Sequence, residues 1–256
     1  MGKFLKYSVA IILIVFILIF IAFRIPSVQD RLLDIGLANL INAAESPLTQ
    51  EDALSAIVCG SRSPLPNPDR AETCILVKAG ERVFIVDTGD GSASNLRTFG
   101  IPFEFEAILI THLHSDHISD LQDFHLGSWV TGRKSKLKVY GPEGIKTVTN
   151  GFEQAYSLDA KYRYEHHGDE VVVEKAFGYE AITLLENTEP FYNENELKIT
   201  AFLVEHEPVE PALGFRFDYK GRSLVISGDT IYSDNLVKFA KDTDVLFLES
   251  LSMDII

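Results

Sequence analysis

Residues 106–121, EAILITHLHSDHISDL, run from a short apolar stretch straight into His112, His114, Asp116 and His117. Three imidazoles and a carboxylate within six positions are costly to keep in a folded chain unless a bound cation satisfies them. The apolar stretch 107–110 reads as a buried strand, which places the cluster at its C-terminal end. In an extended segment alternate residues share a face, so His112 pairs with His114. A helix capped by Ser115 or Asp116 would turn the chain and bring Asp116 and His117 round as a second set. Such nitrogen and oxygen donors suit Zn2+, with Mn2+ or Fe2+ as alternatives.

Other ligand types close apolar strands in the same manner. Asp87 ends VFIVDTG, His206 ends ITAFLVEH and Asp229 ends SLVISGDT. The two oxygens of Asp229 would allow it to bridge two ions. Several such groups at strand ends describe a site on one rim of a sheet. The remaining histidines carry less. His125 reads as a packed or exposed helix residue, whereas His166 and His167, in YRYEHHGDE, are candidates for the substrate cleft.

Around the cluster the sequence alternates short apolar runs with helical segments. LSAIVCG, CILVKAGERVFIVDTG (a hairpin about Ala79-Gly80-Glu81), EAILIT, LKVYGP, VVVE, AITLLE, LKITAFLVEH, LGFRFDY, SLVISGD and DVLFLE read as strands. Helices are expected after DGSA, across SDHISDLQDFHLGSW, in GPEGIKTVTNGFEQAY and over 234–241. This mixture predicts a sheet-on-sheet core flanked by helices. The two cysteines, Cys59 and Cys74, bracket a Pro-rich loop; a disulfide and two buried thiols in neighbouring strands are both compatible with their spacing.

The N-terminus differs. Residues 8–23, SVAIILIVFILIFIAF, carry no charge and come near the length that spans a bilayer. They predict an uncleaved membrane anchor over 1–25, followed by an amphipathic linker helix within 26–53 and a catalytic domain over 54–256. Lys3 and Lys6 favour a cytoplasmic N-terminus and an extracytoplasmic, periplasmic body. All 37 acidic residues but only 20 of the 23 basic ones follow position 25, a net charge of about −17 on the body. That field argues against nucleic acid as a partner.

THLHSDH resembles the HxHxDH signature of the metallo-β-lactamase superfamily. VDTG, EHEPVEPALGFRF and SGDT resemble its other metal-site segments in the right order, with spacing nearest the ribonuclease Z and arylsulfatase-like branch. The resemblance implies an αβ/βα sandwich, here preceded by the transmembrane helix. One zinc ion would be held by His112, His114 and His206. A second would be held by Asp116 and His117, with Asp229 bridging and Asp87 orienting a ligand histidine. Asp116, Asp229 and Glu249 would carry catalysis, with a hydroxide formed between the metals as nucleophile.

The family also places a further ligand histidine and an acid histidine at later strand ends. The sequence stops at Ile256, 27 residues past Asp229, and contains neither, which reads as a C-terminal truncation. The resulting expectation is a membrane-anchored hydrolase of a small ester (phosphodiester, sulfate ester or lactone) that also forms a homodimer. Two alternatives stand beside it: a ribonuclease Z-type tRNA 3′-processing endonuclease, and a non-catalytic metal-binding protein. The branch's basic RNA-gripping arm, which several members insert before the GDT strand, has no room within residues 215–226.

Overall fold

The computed structural model describes residues 7, 13, 20, 24–29, 31, 47–185 and 189–250. The chain divides into two compact units, Met1–Ser46 and Pro47–Ile256. In the first, residues 26–29 are helical, with the Val28 and Gln29 amides donating to the Ile25 carbonyl; most of the expected linker helix lies outside the described residues.

The expected membrane-spanning helix is corrected here. Among the described residues no helix is long and apolar enough to cross a membrane. Spanning takes about 20 continuous apolar residues, whereas the longest helices detailed below run 11 residues. Of the run 8–23 only Leu13 and Phe20 are among the described residues, so the anchor itself lies outside them. The membrane partner and the periplasmic location inferred from it have no support in the fold.

In the second unit, strands β1 (Leu54–Gly60), β2 (Cys74–Ala79) and β3 (Arg82–Val86) form an antiparallel meander. Helix α1 (Ser92–Thr98) leads to β4 (Ala107–Leu109), parallel to β3. Two helices follow, α2 (Ser115–Ile118) and α3 (Leu121–Val130), where the sequence predicts one. Strand β5 (Leu137–Gly141), helices α4 (Ile145–Ala155) and α5 (Ser157–His167), a 3-10 turn (Glu174–Ala176) and β6 (Tyr179–Thr183) complete a six-stranded sheet in sequential order. The second sheet holds β7 (Tyr192–Glu194), β8 (Leu197–Val204), β9 (Ala212–Tyr219), β10 (Arg222–Ile226) and β11 (Val245–Phe247), with α6 (Asp234–Ala240) between the last two.

Strand alternation sorts the side chains into layers. Val77, Phe84, Val86 and Leu109 point into the space between the sheets and meet Ile199, Phe215, Phe217 and Leu224 of the second. Their neighbours Leu76, Ile85 and Ile108 point the other way, against Leu96, Leu121, Phe124 and Ile145 of the helices. Phe202, Val204 and Val225 pack outward on Leu236 and Phe239 around α6. The result is helix, sheet, sheet, helix: the expected αβ/βα sandwich.

VVVE, expected as a strand, is not one. Val172 is fully buried with Trp129 and Ala176, and its amide donates to the Gly168 carbonyl at 3.0 Å. Trp129 Nε1 donates to the Val173 carbonyl at 2.8 Å. Local turns and a side chain satisfy this backbone, so no sheet partner is needed. Cys59 and Cys74 are joined as a disulfide across β1 and β2, with Cα atoms 5.0 Å apart.

Candidate metal centre

The C-terminal ends of β3, β4, β8 and β10 supply Asp87, the His112–His117 segment, His206 and Asp229. The two sheets are tied at this rim, where the Leu213 amide donates to the Thr111 carbonyl at 2.9 Å. Gly228, at φ 63°, permits the approach: a Cβ there would lie 2.7 Å from the Leu213 carbonyl oxygen and 3.0 Å from Thr111 Cβ. Only glycine adopts that conformation without strain or clash, and it places Asp229 next in the chain.

Asp87 organises the centre from below. It is a non-glycine residue held at φ 60°, a costly conformation that the surrounding bonds maintain. Its Oδ1 accepts from the Thr111 amide at 2.8 Å, and its Oδ2 accepts from Thr111 Oγ1 and from His117 Nδ1, each at 2.8 Å. With Nδ1 so engaged, His117 turns Nε2 toward the rim. Thr111 Oγ1 gives its one proton to Asp87 and therefore accepts from His112 Nδ1, 3.1 Å away. That leaves His112 Nε2 as a free lone pair.

Two overlapping groups result. His112, His114 and His206 form one and His112, His117 and Asp229 the other, each with a donor atom from every residue within 4.8 Å of the others. His112 Nε2 lies 3.0 Å from His114 Nδ1, which lies 3.4 Å from His206 Nε2. His117 Nε2 lies 3.5 Å from Asp229 Oδ1 and 3.7 Å from Asp116 Oδ2.

The residues fit a metal. His117 Nε2 is fully buried and has no hydrogen-bond partner, an arrangement proteins avoid unless something binds there. Two ligands on a tetrahedral zinc with bonds of about 2.0–2.1 Å are separated by roughly 3.3 Å, close to the spacings just given.

Electrostatics follow the same layout. Burial and the neighbouring His117 lower His112 to about 3, so its ring is neutral. Burial opposes charge on His117, but Asp87 and Asp229 outweigh it and raise the ring to about 10. Burial likewise opposes ionisation of Asp229, yet the neighbouring His117 ring holds it below the usual carboxylate range. Paired negative charge facing a buried nitrogen is the environment of a cation.

The other predicted residues are placed as follows. Glu249 is exposed, and its Oε1 accepts from the Thr230 amide at 2.8 Å, one residue past Asp229. His125 is fully buried, with Nε2 accepting from the Gly178 amide at 2.8 Å. His166 and His167 are exposed at the end of α5, their rings 4.5 Å apart, and belong to neither ligand group. A cavity of about 500 Å³ beside α5, lined by Trp129, Tyr164 and Phe177, includes none of the clustered ligands. Thr111, which links Asp87 to His112 through one hydroxyl, escaped sequence reasoning. Its place directly before the first histidine was the available signal.

Fold and site together define a metallo-hydrolase: the chain belongs to the metallo-beta-lactamase superfamily, whose family model matches residues 67–251. Within it the chain falls in the ribonuclease Z-like branch. Ribonuclease Z of Mycobacterium bovis (strain BCG / Pasteur 1173P2) is 34% identical over 207 residues, covering 79% of this chain and 72% of the relative. The crystal structure of human tRNase Z, short form, superposes with a TM-score of 0.58 at 20% identity, over 75% of each chain. The metallo-beta-lactamase fold protein YhfI of Bacillus subtilis gives 0.59 at 20% identity, over 77% of this chain and 70% of that one.

These relatives correct the expectation that nucleic acid is excluded. Formal net charge, −14 over the whole chain, is a sum over the entire surface. What meets a phosphodiester is the local field, which bound cations would dominate.

Proposed function

We propose that this chain is a metal-dependent phosphodiesterase of the ribonuclease Z type, hydrolysing RNA. The observation that carries the reading is the pair of ligand groups sharing His112, with His117 Nε2 buried and unpartnered between two carboxylates. His112, His114 and His206 would hold one ion, with zinc best matched to the donor set. His117, Asp116 and Asp229 would hold the second, with Asp229 serving both. Such a metal pair supplies an activated water and neutralises charge on the phosphoryl oxygens.

The chain's own residues do the rest. Asp87 keeps His117 in one tautomer and one orientation. Thr111 does the same for His112. Glu249 fixes the backbone after Asp229 through the Thr230 amide, which holds the bridging carboxylate against the rim. The relatives named ribonuclease Z support RNA as the substrate class.

A second reading, hydrolysis of a small ester, is favoured by one observation. β9 and β10 pair in register from Tyr219↔Arg222 to Phe215↔Ile226 and are joined by a tight turn at Lys220-Gly221. No basic arm for gripping RNA stands between them.

The deciding experiment is turnover of a precursor tRNA with a 3′ extension beside turnover of bis(p-nitrophenyl) phosphate by the zinc-loaded protein. Cleavage of the precursor supports the RNA reading. Turnover of the small ester alone supports the second.

A further inference from the structure

The segment DTIYSD, residues 229–234, leaves two large apolar side chains in water beside the candidate metal centre. Ile231 is 69% exposed and Tyr232 76% exposed. The backbone beneath them is held from both sides. The Thr230 amide donates to Glu249 Oε1 at 2.8 Å, and the Ile231 amide donates to the Glu205 carbonyl at 2.8 Å. Thr230 Oγ1 sits between two carbonyl acceptors, Ile231 at 2.8 Å and Glu205 at 3.2 Å. Tyr232 Oη donates to Asp234 Oδ1 at 2.9 Å, and Ser233 Oγ caps α6 by accepting from the Leu236 amide at 3.2 Å. Glu205 is the residue before His206. The pair therefore stands between the strand ends that carry His206 and Asp229.

Scattered exposed apolar residues need no explanation. A pair whose backbone is tied within three residues of Asp229 and, through the Glu205 carbonyl, beside His206 is different, because it lies next to the groups that would hold the cation. A rigid exposed tyrosine presents a flat face at little entropic cost, and every nucleobase has a flat face to match it. The neighbouring carboxylates Asp229 and Asp234 and the Glu205 backbone leave no free cation on this stretch to hold a phosphate. The surface suits the base and not the backbone.

We infer that Tyr232, backed by Ile231, is the stacking platform for the nucleobase that flanks the scissile phosphodiester. The inference rests on the RNA reading above and adds the contact that selects a nucleotide over a bare ester.

The test uses the full chain and two RNA oligonucleotides with a 3′ extension. They are identical except that one is abasic at the nucleotide flanking the cut. Base stacking on an aromatic side chain gives the wild type a preference in kcat/KM for the intact oligonucleotide of about five- to a hundredfold. Tyr232→Ala collapses that preference toward one, and Tyr232→Phe keeps it. A preference that survives in Tyr232→Ala, or one that Tyr232→Phe loses equally, overturns the inference and leaves the RNA reading standing. A wild type that cleaves neither oligonucleotide, while turning over bis(p-nitrophenyl) phosphate, overturns the RNA reading and the inference with it. A change of oligomeric state on size-exclusion chromatography in Tyr232→Ala assigns the shelf to a second copy of the chain and also overturns it.

Discussion

Asp87 and Asp229 are both aspartates at strand ends, yet they act on opposite sides of the same histidine. Asp87 bonds His117 Nδ1 from beneath, whereas Asp229 faces Nε2 across the space a cation would fill. Loss of a group that orients a ligand typically costs 10–100-fold in activity or metal affinity. Asp87→Ala is expected in that range on bis(p-nitrophenyl) phosphate, and Asp229→Ala well beyond it; equal mild effects would contradict the bridging role.

His125 offers a second test at this scale. Burial, with Arg133 nearby, lowers its ring to about 3 from an unfolded value of 6.5. Below pH 6.5 the unfolded chain binds a proton that the folded chain refuses. The contribution of His125 is therefore complete above pH 6.5 and is lost progressively as pH falls from there toward 3. Urea denaturation between pH 5 and 7.5 should show the wild type losing stability toward acid more steeply than His125→Gln; parallel curves would contradict the assignment.

Among the elements, the tie between the two sheets depends on Gly228. A side chain there meets the Leu213 carbonyl and Thr111 while demanding a positive φ. Strain of this kind costs about 1–3 kcal/mol, so Gly228→Ala should lower the melting temperature and also weaken zinc binding, because Asp229 moves with it. A variant that melts earlier yet binds zinc as tightly would separate the tie from the site. The disulfide between β1 and β2 closes a loop with a sequence separation of 15 residues. A loop that size contributes about 3 kcal/mol in the chain-entropy account. Denaturant midpoints with and without reductant measure it, and an unchanged midpoint would contradict that contribution.

The elements also show where sequence reading works and where it stops. Strands that lead to a ligand were legible because a short apolar run and a terminal His or Asp mark them twice: β3, β4, β8 and β10 lie where VFIV, AILI, LKITAFLV and SLVI place them. Helix α5 was not legible. It leaves Leu158 and Tyr162 exposed and buries Ala160, so its apolar residues trace no inward face. VVVE misled for the converse reason: Val172 is fully buried with Trp129 and Ala176 while Val171 stays exposed, and β-propensity records burial more than backbone state. At the site, the candidate ligands could be listed from the sequence, but the sharing of His112 by both groups and the control of its tautomer by Thr111 are properties of distance, which spacing along the chain does not encode.

For the whole molecule, the apolar run 8–23 and the acidic composition pointed together to a membrane-anchored protein indifferent to nucleic acid. Among the described residues no helix is long and apolar enough to cross a membrane, and net charge is a sum over the whole surface, whereas activity is set by a few side chains at one rim. The family membership rests on the match over residues 67–251 and on the relatives, and the four strand ends are where its chemistry would sit. The central claim is that this rim holds two ions through overlapping ligand sets. Zinc content per chain, measured by mass spectrometry of the metal after dialysis, tests it most directly in the wild type, His117→Ala and His206→Ala. The account predicts two zinc ions in the wild type and one in each variant, because each substitution breaks one group and leaves the other. A single ion in the wild type, unaffected by His117→Ala, would contradict it.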